Sequence, residues 1–177
     1  ILAPSTSQQK SVANACPDAE NSTAGRSAAD HAVVARQVAL RNSGGVPFSV
    51  PGDVHSALLA ERIIAAPYYR DNEYAVDWVN QTPWTLTRTF EFEQTHSTGP
   101  TVLILDNVDC IASVFLNEKL LGETANQFVR YAFDVSRILR DGINHLKIEF
   151  KVARDVAALA QQTHPFHLPG ESLNSRI

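Results

Sequence analysis

Methionine is absent from this chain, and cysteine and tryptophan occur only twice each in 177 residues. Two cysteines, Cys16 and Cys110, are too few for the disulfide framework that staples small secreted domains. Cys110 stands in a strongly apolar run, where a thiol behaves as a small buried hydrophobe. Basic residues are not in excess, with 15 Lys and Arg against 19 Asp and Glu and a formal net charge of -4. They are also scattered, which excludes the clustered positive face that nucleic-acid binding requires. No apolar run approaches the roughly 18 to 20 residues that cross a bilayer as a helix. The start lacks the basic stretch and apolar core of a signal peptide. There is no G-x-S-x-G, no phosphate-cradling glycine loop and no C-x-x-C, so the best-marked nucleophile, nucleotide and redox motifs are excluded.

What remains is the composition of a globular protein: 44% hydrophobic residues and a mean hydropathy of -0.14. The length suits one domain with a sizeable core. Residues 1–31 are rich in Ser, Ala, Asn and Gln and poor in large apolar side chains, the composition of a mobile leader. Asp18, Glu20 and Asp30 within it read as solvated charges. The chain begins at Ile1 and holds no Met, which fits a trimmed or processed start. Asn21-Ser22-Thr23 and Asn80-Gln81-Thr82 are N-glycosylation sequons. They point to a secretory route, lysosomal or extracellular, or to the periplasm of a bacterium.

From residue 32 onward, period-two patterns predominate. Val33 to Leu40 reads as a first strand, followed by the turn signal Asn42-Ser43-Gly44-Gly45. Asp53 is placed to cap a short helix carrying Val54, Leu58 and Leu59. Trp84, Leu86, Phe90 and Phe92 fall on one face of a strand and Thr85, Thr87, Thr89, Glu91 and Glu93 on the other. Two apolar runs follow, Val102 to Leu105 and Ile111 to Leu116, then a turn at Asn117-Glu118-Lys119 towards Leu120-Leu121-Gly122. Val129, Tyr131, Phe133 and Val135 alternate with polar residues. Ser136 is placed to cap one helical turn that Gly142 ends. Leu146, Ile148, Phe150 and Val152 make the clearest inward stripe, and the alanine-rich Arg154 to Gln162 reads as a helical turn. Residues 32–177 therefore predict an all-β chain, a jelly-roll β-sandwich with short helical turns.

Candidate chemistry concentrates between Val50 and Trp84. That stretch holds Tyr68, Tyr69, Tyr74, Trp78 and Trp84 together with Arg70, Asp71, Asn72 and Glu73. Rings of this kind are either core packing or a wall on which a pyranose stacks. Asn72 and Glu73 need partners inside an aromatic cluster, and a sugar or a neighbouring domain would supply them. His55 reads as a partly buried histidine rather than a base. His164 and His167 have H-x-x-H spacing, but Pro165 lies between them and no third ligand is near, so no metal site follows. Retaining glycoside hydrolysis uses two carboxylates about 5 to 5.5 Å apart. Asp71 with Glu73, and Asp106 with Asp109, lie in turns without the context for that chemistry.

The motifs VPGDVHSALL, PYYRDNE, the Trp78 and Trp84 pair, LDNVDCIASVFLNEKLLGETANQF, RYAFDV and GINHLKIEF stand in an ordered series from Val46 to Val152. In that order they resemble the N-terminal domain of glycoside hydrolase family 2 β-mannosidases. The chain departs from the family pattern at Asn107 and Cys110, at Ala65-Ala66 and at Gln127. The resemblance implies a galactose-binding-like jelly roll, incomplete at its C-terminus. It would open a multidomain enzyme whose catalytic glutamates sit on a (β/α)8 barrel that this chain does not contain. It implies retaining removal of terminal β-D-mannose from oligosaccharides or glycoproteins, with no cofactor. The domain would wall the substrate pocket or meet the barrel through Arg70, Asn72, Glu73 and Trp78. Its partners would be the β-mannoside and the rest of the same enzyme. The alternatives are a free-standing carbohydrate-binding module, a purely structural sandwich, or the same domain of an exo-β-glucosaminidase or endo-β-mannosidase.

Overall fold

The computed structural model describes residues 10–13, 44–94 and 99–166 of the chain. The strand alternation seen in the sequence becomes its longest pairing. β3, Trp84–Phe92, runs antiparallel to β8, Gly142–Phe150, in unbroken register from Trp84 opposite Phe150 to Phe92 opposite Gly142. β5, Ala112–Leu116, pairs with the other edge of β8 and with β6, Lys119–Thr124. On the far side of β3 lie β1, Lys10–Ala13, and β2, Val46–Pro47. The result is an antiparallel six-stranded sheet in the order β2-β1-β3-β8-β5-β6. A separate two-stranded sheet joins β4, Val102–Leu105, to β7, Tyr131–Asp134. With three α-helices among the described residues, α1 at Val54–Ala60, α2 at Asn72–Val76 and α3 at Ala153–Thr163, the fold is mostly β.

The two sheets share one hydrophobic cluster. Ala112, Val114 and Ile148 from the large sheet are buried with Val108. Against them pack Leu86, Leu121, Leu146 and Phe150 of that sheet and Leu103, Leu105 and Phe133 of the small one. Each fully buried branched side chain contributes about 1.5–3 kcal/mol. The sheets approach closely at Gly122 on β6, where a Cβ would lie 2.7 Å from Cε1 of Phe133 on β7. Only glycine fits under that ring without displacing it.

Side-chain hydrogen bonds hold the hairpin ends. Asn117 and Glu118 link β5 to β6 with φ of 50° and 69°, so both are left-handed, as a two-residue hairpin loop demands. Asn117 is buried and donates from Nδ2 to Asn144 Oδ1 at 2.8 Å and to Ile138 O at 3.0 Å. Its Oδ1 accepts the His145 N–H at 3.0 Å.

Some expectations are revised. The stretch read as a mobile leader supplies β1, so residues 10–13 belong to the sheet. Ser136 caps no helix: its N–H and hydroxyl both donate to Asp134 Oδ1, and a single turn closes on Val135 O. Gly142, at φ 83°, opens β8 instead of ending a helix. α2 was not foreseen, because five residues are too few to show helical period. The strand expected from Val33 to Leu40 lies outside the described residues.

Candidate functional site

The segment from Gly52 to Trp84 folds as a chain of short helices and turns over one end of the large sheet. Asp53 caps α1 as expected, with Ser56 donating its N–H to Oδ1 at 2.9 Å and its hydroxyl to Oδ2 at 2.6 Å. Partial burial pushes the Asp53 carboxyl up, but the two Ser56 bonds and the charge of His55 outweigh it, so the group sits below its ordinary value. Leu58, fully buried, anchors α1 in a second cluster with Val46, Ile64, Val76, Trp78, Val79 and Trp84. Phe150 packs against this cluster and against the inter-sheet core, tying the two together.

The loop between α1 and α2 presents the polar residues. Tyr69 N–H donates to Ala66 O, and Asn72 N–H to Tyr69 O, each at 3.2 Å. Asn72 Nδ2 donates to Ala66 O at 2.9 Å. The Asn72 amide thus closes the loop that carries the tyrosines. Arg70 takes a left-handed backbone at φ 52° and lays its guanidinium 5.1 Å from the centre of the Tyr69 ring. Glu73, exposed, stands in the first turn of α2, where a carboxylate faces the positive end of the peptide dipoles. Tyr68 is fully exposed, and Tyr69 and Tyr74 are 60% and 58% exposed.

Of the four residues singled out in the sequence, Arg70, Asn72 and Glu73 lie together on this loop and the first turn of α2. Trp78 does not join them at the surface. It is 3% exposed and packs 6.1 Å from Trp84 at 46° between ring planes. Trp84 Nε1 donates to Val79 O at 2.9 Å, whereas the buried Trp78 Nε1 has no partner among the described residues. The aromatic set therefore splits, with two tryptophans in the core and three tyrosines outside. Spacing alone did not separate them.

The remaining candidates fall into place. Asn80 is exposed on the turn after the 3-10 segment Asp77–Val79, and the Thr82 hydroxyl of its sequon donates to Trp78 O at 2.7 Å. Asn21, Cys16 and His167 lie outside the described residues. Cys110 is half-buried and unpaired among the described residues; burial first, then the neighbouring Asp109 charge, holds its thiol above the ordinary value. Asp106 is engaged bidentately by Arg130. Among the described residues no three His, Cys, Asp or Glu side chains come together as a metal site. Among them, too, no helix is long and apolar enough to cross a membrane. The sequence reading missed Phe128, which is 85% exposed beside the Asp106–Arg130 pair. The only signal was that it falls just before the alternation of β7 begins.

Known proteins resemble this chain along most of its length. A β-mannosidase of Rattus norvegicus is 37% identical over 128 residues, covering 71% of this chain and 14% of the relative. The chain therefore spans about a seventh of that relative's length. A solved β-D-mannosidase from Dictyoglomus thermophilum superposes with a TM-score of 0.65 at 27% identity, over 70% of this chain and 15% of that one. An exo-chitosanase of Amycolatopsis orientalis shares the fold, with a TM-score of 0.55 at 23% identity over 61% of this chain and 13% of its own. Residues 27–177 match the family described as glycosyl hydrolase 2 galactose-binding domain-like. With most of its length inside that match, the chain belongs to the glycosyl hydrolase 2 galactose-binding domain-like family.

Proposed function

We propose that this chain is the non-catalytic N-terminal domain of a retaining exo-β-mannosidase that removes terminal β-D-mannose from oligosaccharides or glycoproteins. The observation that carries this reading is the 37% identity to a β-mannosidase over 128 residues. In this reading the fold is a jelly-roll sandwich, which the cluster shared by the two sheets supports. The domain proper runs from about residue 32, near the start of the family match at residue 27, and β1 at Lys10–Ala13 joins its sheet from the stretch before it. The loop from Ala66 to Glu73 walls the substrate pocket or meets the catalytic domain, and Trp78 supports it from beneath. Exposed tyrosine rings beside Arg70, Asn72 and Glu73 suit a pyranose face and its hydroxyls. A secretory or periplasmic location goes with this reading, supported by the exposure of Asn80 within its sequon.

The test uses the protein in its longest natural form and an aryl β-mannoside. The double variant Tyr68→Ala, Tyr69→Ala and the single variant Glu73→Ala should each lower kcat/KM about tenfold, a loss of about 1.4 kcal/mol in transition-state binding. Unmoved kinetics in all of them, with the fold intact, would remove this loop from the pocket.

A further inference from the structure

The loops that leave β4 and β6 meet at an ion pair. Arg130 donates from Nε to Asp106 Oδ1 at 2.7 Å and from Nη2 to Oδ2 at 3.2 Å. Around the pair lies an open depression of about 370 Å³ lined by Asp106, Asn107, Gln127, Phe128, Val129 and Arg130. Phe128 is 85% exposed and Val129 45% exposed. A phenylalanine left in water forgoes about 1.5–3 kcal/mol of burial.

The backbone beneath that ring is tied down. The N–H groups of Ala125 and Asn126 both donate to the Tyr131 hydroxyl, at 2.9 and 3.0 Å. Phe128 N–H donates to Asn126 Oδ1 at 2.9 Å, and Val129 N–H to Asn126 O at 3.3 Å. On the opposite loop Asn107 takes a left-handed backbone at φ 56°. A loop backbone held this way loses little conformational freedom when something lands on the ring.

The lining also sets the chemistry of a ligand. Asp106 neutralises Arg130, so the depression carries no net charge, and a phosphate or sulfate ester would find no unpaired cation. Two carboxamides and the guanidinium surround the ring, and a wholly apolar ligand would leave them without partners. A neutral polyhydroxylated ring with one apolar face satisfies both demands. We propose that this depression is a saccharide-binding subsite that takes one pyranose residue, stacked on Phe128 and hydrogen-bonded by Asn107, Gln127 and the outer edge of Arg130. It is built from different loops than the Tyr68–Glu73 surface and does not depend on that surface's role.

Affinity electrophoresis tests it, with the protein in its longest natural form run through gels containing galactomannan, xylan or mixed-linkage β-glucan. The expected result is retardation in at least one gel, reduced fivefold or more by Phe128→Ala and by Gln127→Ala. The Tyr68→Ala, Tyr69→Ala variant should be retarded as the parent is. If Phe128→Ala fails to fold, Gln127→Ala carries the comparison. No retardation in any gel overturns the proposal. So does retardation that only the tyrosine variant abolishes, a result that leaves the pocket-wall reading standing. A Phe128→Ala variant that melts well below the parent with no saccharide effect also overturns it, and assigns the loop to a protein contact.

Discussion

Asn144 is fully buried and uses its whole amide. Its Nδ2 donates to Arg140 O at 2.7 Å and Gly142 O at 3.0 Å, and its Oδ1 accepts from Arg140 N–H at 2.9 Å and Asn117 Nδ2 at 2.8 Å. Asn144→Ala would remove four hydrogen bonds, one of them to the buried Asn117. At about 1 kcal/mol for each, the loss is on the order of 4 kcal/mol. A lower urea midpoint with an unchanged slope would show it, and a shift equivalent to less than about 1 kcal/mol would contradict it. Sequence inspection did not reach this residue. An asparagine after Gly142 looks like turn chemistry, and one of its partners is 27 residues away. Trp78 makes the same point. Its ring chemistry suits a core or a sugar equally well, and only its neighbours in space decide.

Short elements show where local chemistry suffices. The α1 cap was legible because an N-cap and its acceptor geometry lie within four residues, Asp53 to Ser56. At pH 7, Asp53→Ala should cost about 1 kcal/mol. The folded carboxyl titrates below its unfolded value, so its stabilisation is complete above the unfolded pKa, near about pH 4. It is lost as pH falls through the lower folded value. The parent and variant melting curves should therefore converge as pH falls below about 4. The hydrogen-bonded carboxylates Glu123 and Asp134 also titrate low, but they are common to both proteins and cancel in the difference. A gap that stays constant down to pH 2 would refute the cap's role. The β5–β6 loop offers the opposite sign. Glu118 at φ 69° pays for a left-handed backbone that glycine adopts freely, so Glu118→Gly should raise stability by about 1 kcal/mol in thermal melts. A lower melting temperature would show that the charge or side chain of Glu118 matters more than the turn.

On the scale of the whole molecule, the two hydrophobic clusters meet at Phe150, so the tyrosine-bearing loop is mounted on the same rigid body as the sheets. Such a mount is what a pocket wall requires, since a loop that fluctuates cannot hold rings in register with a sugar. The chain spans about a seventh of the rat β-mannosidase, and the sequence sets neither Asp71 with Glu73 nor Asp106 with Asp109 in the context of a catalytic dyad. Purified alone, it should hydrolyse no aryl β-mannoside above the uncatalysed rate. Turnover that co-elutes with the 177-residue chain would refute that expectation.

The sequence by itself determined the β character, the positions of β3, β4, β5 and β7, the second half of β8 and the α1 cap, and its ordered motifs pointed to the right family. Those features rest on period-two burial and on bonds between residues a few positions apart, and both are written locally. Tertiary structure decided which aromatic rings are interior and that Asn72 closes the Ala66 loop. It also decided that residues 10–13 enter the sheet and that Phe128 stands in the open beside a neutralised arginine. Each of these depends on what lies across a sheet or beneath a helix, and no spacing along the chain encodes that distance.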